Sequence, residues 1–225
     1  METAVLELLN EHFAAPVVRA TTAVLDAFAA AASNPNRSLG SLDDYAWLRG
    51  RSIVDPDFER AAIHSANGPL TRVDADLDGD LDKLAATDRR RLPHDLFAPS
   101  VGVHIEVDEV QHFASAREPT LQRYPEFGFG EEWYPAGFDV DGYLRLIAEH
   151  RGRADRAFAH RQAATFPGER GRQRQRAFND AVRDFAIGEA TGRPVIRIPI
   201  LNRSDPQAGI EFARPYLERF LGVEA

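Results

Sequence analysis

The sequence predicts an α/β (α+β) fold, in which a small mixed β-sheet is flanked by helices. Helical patterns fill the first third of the chain, and two short strand patterns follow each other closely near its middle. A helix, an apolar strand and another helix then alternate near the end. With 225 residues, 44% hydrophobic and 28% charged, the composition is globular and sufficient for one sizeable core.

The first part of the chain predicts a helical region, residues 1–69, ahead of an α/β core at residues 70–225. Apolar periodicity, the Ala-rich stretch and cap signals such as Asp55-Pro56 favour four helices, at 2–13, 16–33, 41–48 and about 55–64. The acidic connector that follows contains one short predicted strand, Leu70 to Val73.

The core begins with strands predicted at 93–97 and 101–110. The tight turn Ala98-Pro99-Ser100 between them predicts an antiparallel hairpin. An irregular, aromatic-rich stretch follows at 114–138. Asp139 or Asp141 caps the next predicted helix. The remaining predicted elements are helices at 140–150, 170–190 and 206–221 and a strand at 194–200.

The strand pattern "VGVHIEVDEVQHF" (101–113) carries unusual negative charge. Because side chains alternate along a strand, its valines and Ile105 form an apolar face, and His104, Glu106 and Asp108 project from the other. The short turn places Asp95 roughly opposite Glu106. Carboxylates at such a short distance raise one another's pKa, and they persist where a cation neutralises them. Their oxygens are suitable ligands for Mg²⁺ or Mn²⁺. The alternative is a strand whose polar face lies in water.

Charge and composition limit the classes of function. The net charge of −8 argues against general nucleic-acid affinity, yet residues 151–183 hold nine arginines and only three acids. That segment indicates either phosphate contact or a solvated helix face. The absence of cysteine excludes disulfides, thiolate zinc sites and a cysteine nucleophile. No apolar run is long enough to cross a membrane, and the start has no secretory signal pattern, so a cytoplasmic location is expected.

Three segments carry a family resemblance: "PHDLFAP", "IEVDEVQH" and "NDAVRDFAIGEATGRPVIRI". Together they resemble the very-short-patch-repair endonuclease-like branch of the PD-(D/E)XK nuclease superfamily. In that branch an Asp closes one strand, the next carries Glu-x-Asp-Gly-x-x-His, and a helix carries Asp-x-x-Arg before a final strand. The resemblance covers about residues 91–113 and 174–200. Glu109 stands where the family has glycine, and the family's short connector is expanded here to an insertion at about 114–174.

The resemblance implies a restriction-endonuclease-like core and a metal-dependent activity on DNA. Asp95, Glu106 and the carbonyl of Val107 would hold Mg²⁺ or Mn²⁺. Three further side chains would replace the usual lysine and position water or metal: Asp108, Gln111 and His112. The helix pair Asp180 and Arg183 would be structural. The implied phosphate contacts are Arg174, Arg176 and Arg197. An N-terminal glutamate, Glu7 or Glu59, would complete the site.

A second acidic stretch, "DADLDGDLDKLA" (74–85), resembles a calcium-binding loop. The five acids at alternating positions would be the ligands (Asp74, Asp76, Asp78, Asp80 and Asp82), and Gly79 falls where such a loop turns sharply. Ala85 occupies the position where a bidentate acid is expected, which weakens the pattern. An acidic solvent loop is the alternative.

Three functions therefore follow from the sequence. The first is a metal-dependent DNA nuclease, an endonuclease-like hydrolase. The second is an inactive protein of the same fold that binds nucleic acid or a protein partner. The third is a structural protein stabilised by calcium. The sequence leaves a homo-oligomer open.

Overall fold

The structure, a computed structural model, describes residues 1–21, 69–80, 95–127, 137–157, 159–191 and 193–223. The helices in these ranges are α1 (Glu2–His12), α2 (Pro69–Asp76), α3 (Arg117–Gln122), α4 (Val140–Arg156), α5 (Gly171–Thr191) and α6 (Pro206–Leu221). The strands are β1 (Val18–Arg19), β2 (Leu96–Ala98), β3 (Val103–Glu109) and β4 (Val195–Ile200). Short 3₁₀ turns lie at Val110–Phe113 and Tyr124–Phe127. The predicted α/β fold class is confirmed.

The four strands form one mixed sheet in the order β1-β2-β3-β4. β1 pairs antiparallel with β2, and β2 pairs antiparallel with β3, with Leu96 opposite Ile105. The turn between β2 and β3 includes Gly102 at a φ of 68°, a conformation that glycine adopts without steric cost. The predicted hairpin is therefore confirmed, with each strand beginning two or three residues later than expected.

The chain divides into two compact units. The sheet unit comprises Met1–Asp55, Pro93–Asp108 and Ile187–Ala225, and the helical unit comprises Pro56–Leu92 and Glu109–Ala186. The prediction assigned residues 1–69 to a separate helical region, whereas α1 belongs with the sheet. The reason is visible in its packing, since Val5 and Leu9 of α1 lie in the same apolar cluster as the sheet residues.

The core of the sheet unit forms where α1 and α6 cover one face of the sheet. Val103, Ile105 and Val107 of β3 are 0 to 5% exposed and pack there, as the alternation of the sequence predicts. Helix α6 lies very close to β4 at Gly209. A Cβ added to Gly209 would lie 2.4 Å from the carbonyl oxygen of Pro199, so only glycine fits this contact unchanged.

The helical unit is built on aromatic packing and one buried arginine. Phe113 and Phe138 each pack against Tyr143 of α4. Arg117, 2% exposed, donates to Asp184 at 3.0 Å and to the Tyr124 hydroxyl at 2.8 Å. A buried guanidinium is tolerated only when its charge and its donors are satisfied, and these partners satisfy them.

Two predicted elements are wrong where the structure describes them. Residues 16–21, predicted as the start of a buried helix, contain the strand β1 instead. The Asn10 side chain bonds both the amide and the carbonyl of Val17, at 2.8 and 3.0 Å, and thereby sets this extended path. Pro16 and the β-branched Val17 and Val18 favour extended backbone, and this preference outweighs the Ala-rich composition that follows.

The predicted short strand at Leu70 to Val73 is instead part of α2. Pro69 occupies the first helical position, which its fixed φ favours. Helix α4 also extends six residues beyond its predicted end, while α5, β4 and α6 lie within a residue or so of their predicted bounds. The predicted helices at 41–48 and 55–64, and residues 22–33, lie outside the described residues.

None of the helices in the described ranges is long and apolar enough to cross a membrane.

Candidate functional site

The two predicted metal ligands share one patch of the sheet. The register that pairs Leu96 with Ile105 sets Asp95, immediately before β2, opposite Glu106 of β3. Residues opposite each other in an antiparallel pair project to the same face with their Cβ atoms about 5 Å apart. The Asp95 Oδ2 atom also accepts a hydrogen bond of 2.8 Å from the amide of Val107. The turn length therefore predicts the register of the β2–β3 hairpin correctly, and the shared role of Asp95 and Glu106 stays a prediction.

The charged face of β3 is buried. His104, Glu106 and Asp108 are 1, 3 and 1% exposed, so the alternative of a polar strand face in water does not hold. The His104 ring lies 4.6 Å from the ring of Phe97, and is thus part of the packing over β2. Burial of a charged face is costly unless each charge finds a partner, which makes the partners of these acids the decisive observation.

The electrostatics of Asp95 are unfavourable to its charged form. Burial, the nearby charge of Glu106 and smaller contributions from Glu2 and Asp108 raise the pKa of Asp95 to about 7. The hydrogen bond from the Val107 amide acts in the opposite direction and is outweighed. Near neutral pH, Asp95 is therefore close to half protonated, and a cation between Asp95 and Glu106 would displace the remaining proton.

The N-terminal glutamate whose charge reaches Asp95 is Glu2. The sequence favoured Glu7 or Glu59 for this position, but Glu7 is exposed and makes no contribution to the pKa of Asp95, and Glu59 lies outside the described residues. Glu2 sits in the first turn of α1 and pairs with Arg19 of β1 at 3.3 Å. The sequence carried no signal for this, because the approach of α1 to the sheet is a tertiary contact.

Asp108 and Arg197 engage each other. The Arg197 Nη1 atom donates to both carboxylate oxygens of Asp108, at 2.9 and 3.0 Å, and Arg197 is fully buried. The sequence suggested that Asp108 positions water or metal and that Arg197 contacts phosphate. With its guanidinium enclosed beside β3, Arg197 has no surface to offer a phosphate. The geometry instead gives the pair a role in joining β3 to β4.

Gln111 and His112 lie in the helical unit. The Gln111 amide donates to Glu109 at 3.2 Å. The His112 Nδ1 atom lies 2.9 Å from Asp180 Oδ2, and the other Asp180 oxygen accepts from Arg183 at 3.2 Å. Asp180 is fully buried, so this contact fixes the orientation of the His112 ring. The sequence predicted Asp180 and Arg183 as a structural pair and did not connect them to His112.

The predicted phosphate contacts in α5 are largely engaged within the helical unit. Arg174 donates to the carbonyls of Leu77, Pro167 and Glu169 and to the carboxylate of Asp78. These bonds tie α5 to the segment after α2. Arg176 is only partly exposed on the same helix.

The calcium-loop pattern does not form a loop over residues 74–80. Asp74 and Asp76 lie in α2, and Asp76 accepts from Arg123 at 2.7 and 3.0 Å. Asp78 pairs with Arg174 at 3.2 Å. Arginines therefore neutralise Asp76 and Asp78. Asp74 is buried instead, and burial and the charge of Asp80 raise its pKa to about 6. Asp80 lies in an irregular stretch after the helix. Asp82 lies outside the described residues.

The donor set at Asp95 and Glu106 fits a hard divalent cation, although it is small. Half-buried Asp95, with its raised pKa, and buried Glu106 offer carboxylate oxygens of the kind that Mg²⁺ accepts alongside waters. Within the described part of the chain there is no group of three or more His, Asp or Glu side chains arranged to hold a metal ion. The remaining ligands would then be water, the substrate or the Val107 carbonyl, which stays a prediction.

Comparison with family models, curated proteins and solved structures finds no match for this chain.

Proposed function

We propose that this protein is a metal-dependent phosphodiester hydrolase that acts on DNA, with Asp95 and Glu106 as the ligands of Mg²⁺ or Mn²⁺. The observation that carries the proposal is the nearness of these two acids at the β2–β3 hairpin, where burial and then the charge of Glu106 raise the pKa of Asp95. Acids with a perturbed pKa of this kind cluster at functional sites.

The residues of the sheet unit have separate tasks in this proposal. A bound Mg²⁺ polarises a phosphoryl oxygen and lowers the pKa of a water that it holds. Asp95 and Glu106 provide the anionic oxygens, and the Val107 amide holds one Asp95 oxygen in a fixed orientation. The Asp108–Arg197 pair keeps β3 registered against β4. The water-orienting roles of Gln111 and His112 stay predictions.

The test is a cleavage assay on single-stranded and duplex DNA with Mg²⁺, Mn²⁺ or EDTA. We expect cleavage only with metal, and a fall on the order of 10²- to 10³-fold in both Asp95→Ala and Glu106→Ala, because each removes a charge that stabilises the transition state through the metal. Asp76→Ala is the matched control, since it removes a carboxylate that pairs with Arg123 in the helical unit. Cleavage that survives in both site variants would refute the proposal.

A second candidate is a protein of the same fold without activity that binds nucleic acid or a protein partner. It is favoured by one observation: Asp108 of β3 is neutralised by Arg197, so this acid is not available to a metal beside Asp95 and Glu106. Salt-sensitive DNA binding without cleavage under any of the metal conditions would support this candidate over the first.

A further inference from the structure

Helix α4 ends in an exposed cationic surface, which we define by Gly152, Arg153 and Arg156. All three residues are exposed, and Arg153 and Arg156 are three positions apart, so they project from the same side of the last helical turns. Within the described ranges, neither guanidinium has an acid within 4 Å or a side-chain hydrogen bond. The two positive charges are therefore available to an external partner.

Other exposed arginines of the helical unit are engaged. Arg145, earlier in α4, pairs with Asp139 at 3.1 Å, and Arg170 pairs with Asp155 at 3.0 Å. The only acid between Arg153 and Arg156 is Asp155, and it is taken up by Arg170 and by Ser115. Glu149, one turn before Arg153, lies 3.8 Å from His150. Residues 149–156 therefore hold three arginines and two acids, in a chain whose net charge is −8.

Gly152 adds a second, independent observation. Glycine weakens a helix relative to alanine, and in this helix no packing requirement explains it, since an added Cβ would meet nothing within 4 Å. The helix dipole favours a cation near this terminus, which gives a reason for one arginine but none for the glycine. Gly152 lies next to Arg153 and one turn before Arg156, and its missing side chain leaves a flat place where an extended anionic chain can approach the helix backbone.

We propose that the Gly152, Arg153 and Arg156 surface binds the phosphate backbone of DNA. The choice of DNA over other polyanions rests on the proposed function. The charge and shape of the surface are observed independently of that function. Phosphate contacts position a substrate without reading its sequence, so this surface would give the enzyme affinity and not base specificity. It would take over the role that the sequence suggested for Arg174 and Arg197.

The test measures binding of a labelled DNA duplex in EDTA, so that cleavage cannot interfere. For the double variant Arg153→Gln/Arg156→Gln we expect affinity at low salt to fall at least about tenfold and the slope of log K against log salt to shrink by about 2. Arg145→Gln removes one positive charge from an earlier position of α4, where it is paired with Asp139, and should leave both quantities unchanged. Gly152→Leu should weaken DNA binding without lowering the melting temperature.

The outcomes separate this inference from the proposed function. Unchanged DNA affinity and salt slope in the double variant would overturn the surface, even if metal-dependent cleavage is found. Loss of binding in the double variant, with Asp95→Ala binding normally and no preparation cleaving, would support the surface and reject the hydrolase. If the double variant binds DNA normally but no longer binds phosphatidylserine vesicles, the surface recognises a membrane and the inference is wrong.

Discussion

Asp95 and Asp108 are acids of the same sheet, yet their surroundings are opposite in sign. Asp108 receives two hydrogen bonds from Arg197, which is buried with it. Asp95 receives one backbone amide and faces the charges of Glu106, Glu2 and Asp108, which together with burial raise its pKa to about 7. The fold thus places the cationic Arg197 beside Asp108, whereas it places further acids beside Asp95.

This difference separates structural charge from charge that is available for function. A buried ion pair is complete within the chain and its removal is a matter of stability. A half-buried acid that faces other acids, as Asp95 does, is destabilised in its charged form. Its removal should therefore stabilise the folded state while abolishing whatever the site binds. The following substitutions test this distinction, in order of expected effect.

The largest effect is expected at Arg197. Arg197→Met leaves Asp108 buried without its partner, and we expect the free energy of unfolding to fall by about 3–5 kcal/mol, measured by urea denaturation. The double variant Asp108→Leu/Arg197→Met removes both charges and should recover most of that loss. If the single variant is as stable as the parent, the pair does not hold β3 to β4.

The second-largest change in the free energy of unfolding is expected at Asp95, where substitution should stabilise the folded state. An unfolded aspartate releases its proton near pH 4, whereas folded Asp95 keeps it to about pH 7, so the folded state binds more protons between these values. Stability from this group therefore declines as pH rises from about 4 to 7 and then levels. Asp95→Asn should be more stable than the parent by about 1–3 kcal/mol at pH 8, allowing for partial exposure, and equal to it at pH 4.

Thermal unfolding at several pH values measures this difference. The asparagine can still accept the Val107 amide, so the comparison isolates the charge. Equal stability of Asp95→Asn and the parent across the whole pH range would mean that Asp95 is not under electrostatic stress.

A smaller effect is expected from metal. Mg²⁺ at ten times its dissociation constant should stabilise the folded chain by about 1.4 kcal/mol, and the affinity should increase as pH rises through 7 because the ion displaces the Asp95 proton. The melting temperature with and without Mg²⁺ measures it. Asp95→Asn should lose the response, while Asp76→Asn, from the second acidic stretch, should keep it.

The smallest effect is expected at Glu2. Because its charge raises the pKa of Asp95, Glu2→Gln should lower that pKa and move the pH dependence of stability to slightly lower pH. The measurement is the melting temperature against pH, compared between the variant and the parent. Glu7→Gln, on the exposed side of the same helix, should leave the curve unchanged, and an equal shift in both variants would mean a general effect of charge.

The sequence predicts the parts of this site that depend on local spacing. The alternation of "VGVHIEVDE" and the length of the turn before it were enough to set Asp95 opposite Glu106 and to identify the apolar face of β3. The same reasoning could not reveal that the opposite face is buried. That property depends on distant parts of the chain, as does the partnership of Asp108 with Arg197, 89 positions away.

The two acidic stretches illustrate the same limit. Residues 74–82 matched a loop pattern position by position, yet Pro69 begins a helix that includes Asp74 and Asp76. Arg123 and Arg174, far away in sequence, then neutralise the acids at 76 and 78. Spacing identifies carboxylates that can converge, but the location of the arginines decides whether any of them remain for a ligand.

The contact of Gly209 with Pro199 governs how near α6 can approach the strand that carries Arg197. A methyl group at this position would meet the backbone and force the whole helix outward, loosening the apolar layer over several residues at once. The residue at position 209 therefore sets the distance between α6 and β4, and substitutions elsewhere in α6 cannot compensate for a larger side chain there. Distantly related sequences that adopt this arrangement are expected to have glycine four residues after the helix cap.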